Sequence, residues 1–485
     1  MKSIIFIFTA VIFSFSSVAE EKKQNTDKIT LKEAMENAYK TNQSLGQAEY
    51  ELKISHENLS TAKREWLPQA SAALSGSVGF NEKETKSQRL VRNDGKHHSQ
   101  RNTGTAQVKL SQNIFNGGGT LASIQKTKKN VDARTAKYQG TESKLFLDTV
   151  KVYSEYVKKK AIHNLTKTNQ IVLEESLAVV QSQYELGEKT VSDVASTQAD
   201  LEEARARVTQ GTAELASSIS TFESIVGFIP NDNIESPQSY TDVPTSLEEA
   251  QGIALKYNYD LLISDAVSEA AKAEAKEAFK SFLPSLDLEA TGSRTLGGYW
   301  DKEISNKVFS KTRTNDAEIK ATLSIPLDFR GTIQSGIRGK KYAAAQKRME
   351  ALYKRREVKN SVTSTWEKYK AAFAKIKQYK AQVKATKIAF DSTNEEFNVG
   401  SKTTLEVLTA ENKYFQAQIN LINARQDYVQ SSYELAHVIG LLNPTTLNLN
   451  VEKFSPVKHR ETRPVWGLGI GKDRRGYDLD TKDNR

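Results

Sequence analysis

The stretch FNVGSKTTLEVL at residues 397–408 decides how the chain is organised, because the chain contains it twice. The earlier copy, YELGEKTVSDVA, occupies 184–195, at an offset of 213 residues. Tyr184 meets Phe397, Gly187 meets Gly400, Lys189 meets Lys402, Thr190 meets Thr403 and Asp193 meets Glu406. Each copy closes one long helical pattern and opens another. The glycine supplies the positive φ that ends a helix, and the threonine stands where the next helix needs an N-cap. Each copy therefore reads as the tip of a helical hairpin carrying charged residues.

Self-similarity extends well beyond the tips. Leu31, Ala34, Ala38, Asn42, Leu45 and Leu67-Pro68 recur as Leu247, Ala250, Ala254, Asn258, Leu261 and Leu283-Pro284. Two tandem repeats are expected, 20–229 and 246–442, joined by a proline-bearing linker at 230–245 with little structure of its own. Each repeat predicts a first helix (31–65 and 246–280) that ends just before Pro68 or Pro284. A strand pair follows, at about 69–80 and 104–115, then at about 285–293 and 316–327. A long helix comes next (120–186 and 332–399), free of proline, then the tip and a last helix. The last helices carry Val194, Leu201, Val208, Leu215 and Phe222, and then Val407, Tyr414, Leu421, Tyr428 and Leu435. Seven-residue spacing predicts a supercoiled seam against the preceding long helix, with Tyr414 and Tyr428 as packing residues.

The strands alternate apolar and polar, as Ala70, Ala72, Leu74, Gly76, Val78 and Phe80 do against Ser71, Ala73, Ser75, Ser77 and Gly79. By pattern alone this fits a half-buried soluble sheet or a transmembrane barrel. Four strands cannot close a barrel, and open edges do not survive in lipid, so the strands must pair with other copies. Three protomers would supply twelve.

Residues 1–19 have a short basic start at Lys2, an apolar run and a small-residue end at Ser17-Val18-Ala19, which predicts a signal peptide. No later segment has the apolar length of a membrane helix. Cysteine is absent, so packing alone holds the fold. The net charge is +10 with both signs interspersed, which reads as solvated surface and gives no case for nucleic acid. Asn116-Gly117-Gly118-Gly119 lacks the lysine of a phosphate loop and reads as a strand-to-helix turn. His97-His98 falls in the first hairpin loop without nearby ligands of metal spacing. No catalytic set, metal or cofactor is expected, and the C-terminal tail (443–485) leaves the repeat.

With its signal peptide, its two helix–hairpin–long helix–tip–helix units and its tip sequences, the chain resembles the TolC family of outer-membrane export ducts over about 31–442. Its most specific stretch is FNVGSKTTLEVLTA at 397–410. The resemblance implies a mainly α protein with a membrane β-barrel portion. A homotrimer would form a twelve-stranded barrel among outer-membrane lipid and a twelve-helix periplasmic tunnel. It implies a passive exit duct for drugs, toxic small molecules or proteins, in a tripartite efflux pump or a type I secretion system of a Gram-negative bacterium. The partners would be a periplasmic adaptor and an inner-membrane ABC or proton-driven pump.

The resemblance also assigns a gate. Asp193 matches the acidic tip partner, Lys402 its basic counterpart, Phe397 the aromatic lock and Glu406 an acidic ring, with Thr409 where a second ring residue is expected. Phe397 lacks the hydroxyl of the family's tyrosine, and Lys402 lacks the guanidinium fork. Closure and cation block are accordingly expected to be weaker than in the best-known member. Gly187, Lys189, Thr190, Gly400 and Thr403 are the tip turns where the adaptor would dock. The competing reading is a periplasmic coiled-coil scaffold without a pore.

Overall fold

Proline-free sequence lies between Pro68 and Pro230, and between Pro326 and Pro444. Those intervals hold the two longest helices. In the computed structural model, which describes residues 28–85, 95–301 and 310–451, α3 (Gly119–Glu185) and α7 (Thr332–Asn398) each run 67 residues. At the α-helical rise that is about 100 Å. The predicted signal peptide and the chain beyond 451 lie outside the described residues.

The remaining elements are α1 (Leu31–Thr41), α2 (Gln43–Arg64), β1 (Gln69–Thr85), β2 (Gly95–Asn116) and α4 (Val191–Val226) in the first repeat. The second contributes α5 (Leu247–Tyr257), α6 (Tyr259–Glu277), a 3-10 turn (Ala278–Phe282), β3 (Ser285–Asp301), β4 (Ser310–Ser324) and α8 (Thr404–Val438). Long helices plus one four-stranded antiparallel sheet, made from two repeats, is the fold class the sequence implied.

Each first helix is in fact two. The predicted continuous helices break at Asn42 and Asn258, which have extended backbone and cap the next helix through their side chains. Asn42 Oδ1 accepts from the Ser44 amide at 2.9 Å, and Asn258 Oδ1 from the Leu261 amide at 3.0 Å. An amide side chain that competes for backbone donors in this way interrupts a helix. The second break is also a clasp, with Asn258 Nδ2 donating to the Val438 carbonyl (2.7 Å); in the first repeat Asn37, inside α1, donates from Nδ2 to the Val226 carbonyl (2.5 Å). The α5–α6 junction and α1 are thereby tied to the far ends of α8 and α4.

The sheet has the order β1-β2-β3-β4, so β1 and β4 keep one unpaired edge each. The strands run farther than the alternating pattern indicated. β1 and β2 stay in register from Gln69↔Ser111 to Thr85↔Gly95, because the ladder continues among polar residues where hydrophobic alternation has stopped. His97 and His98 therefore stand in β2, opposite Lys83 and Glu82, and not in a loop. β4 begins at Ser310 and ends at Ser324, two residues before Pro326, which cannot donate to a ladder. On one face, Leu74, Val78, Phe80, Val108, Leu110, Leu288, Ile319 and Leu323 are all exposed. The other face is polar, with Lys109 Nζ 2.7 Å from Glu289 and the Ser77 and Thr103 hydroxyls 2.6 Å apart.

The core sits where the short helices meet the long ones. Met35, Phe146, Val150, Tyr433 and Leu442 form one buried cluster, and Ala250, Leu261, Val362, Trp366, Leu435 and Ile439 another. The linker has more structure than its prolines suggested. Ile29 bridges to Ile234, and the Tyr153 hydroxyl bonds to the carbonyls of Ile29 (2.8 Å) and Glu235 (2.7 Å). Tyr240 packs edge-on to Tyr433, with its amide donating to Ser432 Oγ. This segment is a strap across the helices, and a buried aromatic with satisfied backbone groups fixes it.

The predicted seam exists. Tyr414 stacks on Phe390 and Tyr428 on Tyr369, both from α7, while Leu201 and Phe222 are buried on α4.

Candidate functional site

The two tips lie at the end of the helical body opposite the sheet. Their construction is the same in both copies. Gly187 (φ +80°) and Gly400 (φ +78°) occupy the left-handed position that ends α3 and α7. At the first tip, the Gly187 and Glu188 amides donate to the carbonyls of Tyr184 and Gln183. At the second, those of Gly400 and Ser401 donate to Phe397 and Glu396. These paired bonds satisfy carbonyls that the helix end would otherwise leave open. Thr190 and Thr403 then cap α4 and α8, each in a full capping box whose third residue is Asp193 or Glu406.

That placement gives both acids a second identity. The Asp193 carboxylate accepts from the Thr190 amide (3.0 Å) and hydroxyl (2.7 Å), which hold its pKa below the usual range. Glu406 accepts from the Thr403 amide (2.9 Å) and from Lys402 Nζ (2.8 Å). Lys402 first, then Thr403, brings its pKa down to about 2. The signal was legible as Thr-x-x-Asp and Thr-x-x-Glu, a capping-box pattern that a reading of the acids as gate charges passes over.

Within the chain the structure does not join Asp193 to Lys402. Lys402 precedes the N-cap of α8 and reaches the carboxylate four residues on, so its ion pair is local. It does join Lys189 to Phe397. The Lys189 ammonium lies 4.1 Å from the centroid of the Phe397 ring, a cation–π contact from one tip to the other. Thr409 is exposed and its hydroxyl returns to the Leu405 carbonyl at 2.7 Å. Beneath the tips, Leu173, Leu177, Leu201, Ala204 and Leu408 form the cluster that binds α3, α4 and α8 together.

Two features went unread in the sequence. Leu186 and Val399, equivalent residues of the two tips, are 75% and 80% exposed. Glu411, two turns into α8, is buried; its Oε1 accepts from Asn169 Nδ2 of α3 at 2.9 Å. Burial foremost, with the charge of Asp200 on α4 behind it, pushes the Glu411 carboxyl up to about 7. Thr404, Leu408, Glu411 and Phe415 recur at helical spacing, which places this acid on a packed face.

The sequence profile of the family described as Outer membrane efflux protein matches residues 34–227 and again 252–441. The chain belongs to that family. Among relatives of this efflux protein, the outer membrane efflux protein BepC of Brucella suis biovar 1 (strain 1330) is 26% identical over 432 residues, covering 89% of each chain. The outer membrane protein TolC of Vibrio cholerae is 25% identical and covers 70% of this chain and 77% of its own. The Campylobacter jejuni CmeC outer membrane channel superposes with a TM-score of 0.69 at 17% identity, over 91% of this chain and 94% of that one. The protein is a TolC-type efflux channel of the Gram-negative outer membrane with a periplasmic helical extension, and a transporter without enzymatic activity. Among the described residues no helix is long and apolar enough to cross a membrane.

Proposed function

We propose that three copies close edge to edge, β4 of one against β1 of the next, into a twelve-stranded barrel and a continuous tunnel. The duct would be passive, and would hand cargo outward from an inner-membrane ABC or proton-driven pump through a periplasmic adaptor. The observation that carries this reading is the open sheet with two free edges at one end of ~100 Å helices. A second supports it. α7 leaves Tyr342, Tyr353, Phe373 and Ile388 exposed along its length, a stripe of a kind that a neighbouring helix covers. The exposed Leu186 and Val399 beside Gly187, Lys189, Thr190, Gly400 and Thr403 suit the tips to docking an apolar groove of the adaptor.

The tips form the gate in this reading. Around a threefold axis, three Glu406 carboxylates make a ring that attracts cations, and Lys402 offsets each of them at 2.8 Å. Phe397, clamped by Lys189, narrows the same mouth, and Asp193 remains available to a neighbouring tip. Thr409 adds no charge to a second ring. Exposed pairs of this kind contribute about 0–1 kcal/mol each, a strength that a docking partner can overcome. The expected result in a planar bilayer follows from that offset. Glu406→Gln should weaken block by divalent cations, whereas Lys402→Ala, which exposes the ring's full charge, should strengthen it. Block that changes in neither variant removes both residues from the gate.

A further inference from the structure

The outer half of the sheet, from the middle of β3 outward, carries charges on the face where none are expected. The register that aligns Leu288 with Ala321 and Ala290 with Ile319 continues to Arg294, opposite Asn315 and Ala106, and to Arg313, opposite Leu296. Both arginines thus share the apolar face with Leu74, Val108 and Ile319, and both are exposed. They are diagonal neighbours on adjacent strands, about 7 Å apart at the backbone. Lys311, opposite Gly298, is the next residue on the same face. Alternation puts Asp287, Glu289, Asp316 and Glu318 on the opposite face, where Glu289 is bonded to Lys109 and Asp316 to Ser293. Among the described residues neither Arg294 nor Arg313 has an acidic partner.

Their height explains how lipid tolerates them. The apolar band starts near Phe115, Phe282 and Ile325, which are exposed at the root of the sheet. From Leu323 to Arg313 a tilted strand climbs about 25 Å, roughly the full apolar thickness of an outer-membrane barrel. Arginine stems there would lie along the acyl chains, with the guanidinium groups reaching toward the outer headgroup layer. A guanidinium binds phosphate through two parallel hydrogen bonds, and two forks side by side suit a headgroup with more than one phosphate.

We propose that Arg294 and Arg313, flanked by Lys311, dock the phosphate groups of a phosphorylated glycolipid in the outer leaflet. This rests on the reading that the apolar face meets lipid. Retention of bound glycolipid by the purified full-length protein, measured by native mass spectrometry, tests it. The wild type should retain a bisphosphorylated glycolipid, and Arg294→Gln/Arg313→Gln should retain about tenfold less. The dephosphorylated lipid should be held weakly by both. Equal retention by wild type and double variant overturns the proposal, as does equal retention of the dephosphorylated lipid, which would mean acyl-chain contact alone. Displacement by inorganic phosphate at low concentration also overturns it, since the site would then take free anions. Bilayer conductance and a heat-sensitive oligomer in SDS report separately on the barrel. Should the double variant not assemble, Arg294→Gln and Arg313→Gln are read singly in the same assay, each expected to lose part of the retention.

Discussion

Replacing Gly440 with alanine is expected to destabilise the fold by roughly 4 kcal/mol or more and to leave little assembled channel. Gly440 follows α8 at φ +81°, in the left-handed region that a Cβ disfavours. The larger cost comes from its surroundings. A Cβ there would press into the Tyr257 carbonyl group and come within 3.0 Å of the Asn258 amide nitrogen, all of it backbone. That backbone cannot retreat, because Asn258 both caps α6 and holds the Val438 carbonyl, while Leu435, Ile439 and Leu442 are fully buried beside it. Gly400→Ala is the control. Its φ of +78° is nearly the same but open space surrounds it, so about 1–2 kcal/mol is expected. Thermal unfolding followed by helical signal, with the yield of oligomer, separates the two. Equal losses would show that φ alone sets the cost.

That contrast also marks how far the sequence was legible. The repeat, the long helices and the tips stand in it because each rests on local chemistry: glycine where φ is positive, threonine before a helix, no proline for well over a hundred residues. The limits of α3 and α7 were readable to within a residue at each end for that reason. Contacts between distant elements were less visible. Asn42 and Asn258 repeat, yet the apolar periodicity continues on both sides of each, and only the clasp to α8 shows why α6 must restart. α8 likewise buries two faces. The aromatic seam toward α7 advertised itself through hydrophobic spacing. The face toward α3 uses Glu411, Gln426 and His437, which bond to Asn169, Glu155 and Ser143, and polar residues give no such periodic signal. For the tips, the sequence named the charged residues and, by resemblance, set Asp193 against Lys402, but it did not show the partners they take within the chain. Lys402 to Glu406 and Lys189 to Phe397 depend on side-chain reach after the hairpins have formed.

Glu411 makes that hidden face measurable. Its carboxyl titrates near 7 in the fold against about 4.5 when unfolded, so between those values the folded state holds the proton more tightly. The stabilisation is therefore complete below about pH 4.5 and is lost as pH rises through about 7, a swing of about 3 kcal/mol per chain. Burial sets the sign, and the groups around it adjust the size. Asp200 repels the charged form from α4 and is itself raised by burial, with Glu203 adding to the rise and Arg207 opposing it; Asn169 favours the charged form from α3. Glu411→Gln keeps a carbonyl for the Asn169 amide and removes the titration. At pH 8.5 the variant should be more stable than the wild type by about 3 kcal/mol, and at pH 4.5 about equal to it. Unfolding midpoints of both proteins across that range decide the matter. Profiles that run parallel would mean that Glu411 stays solvated, and that the junction of α3, α4 and α8 beneath the tips is looser than its packing indicates.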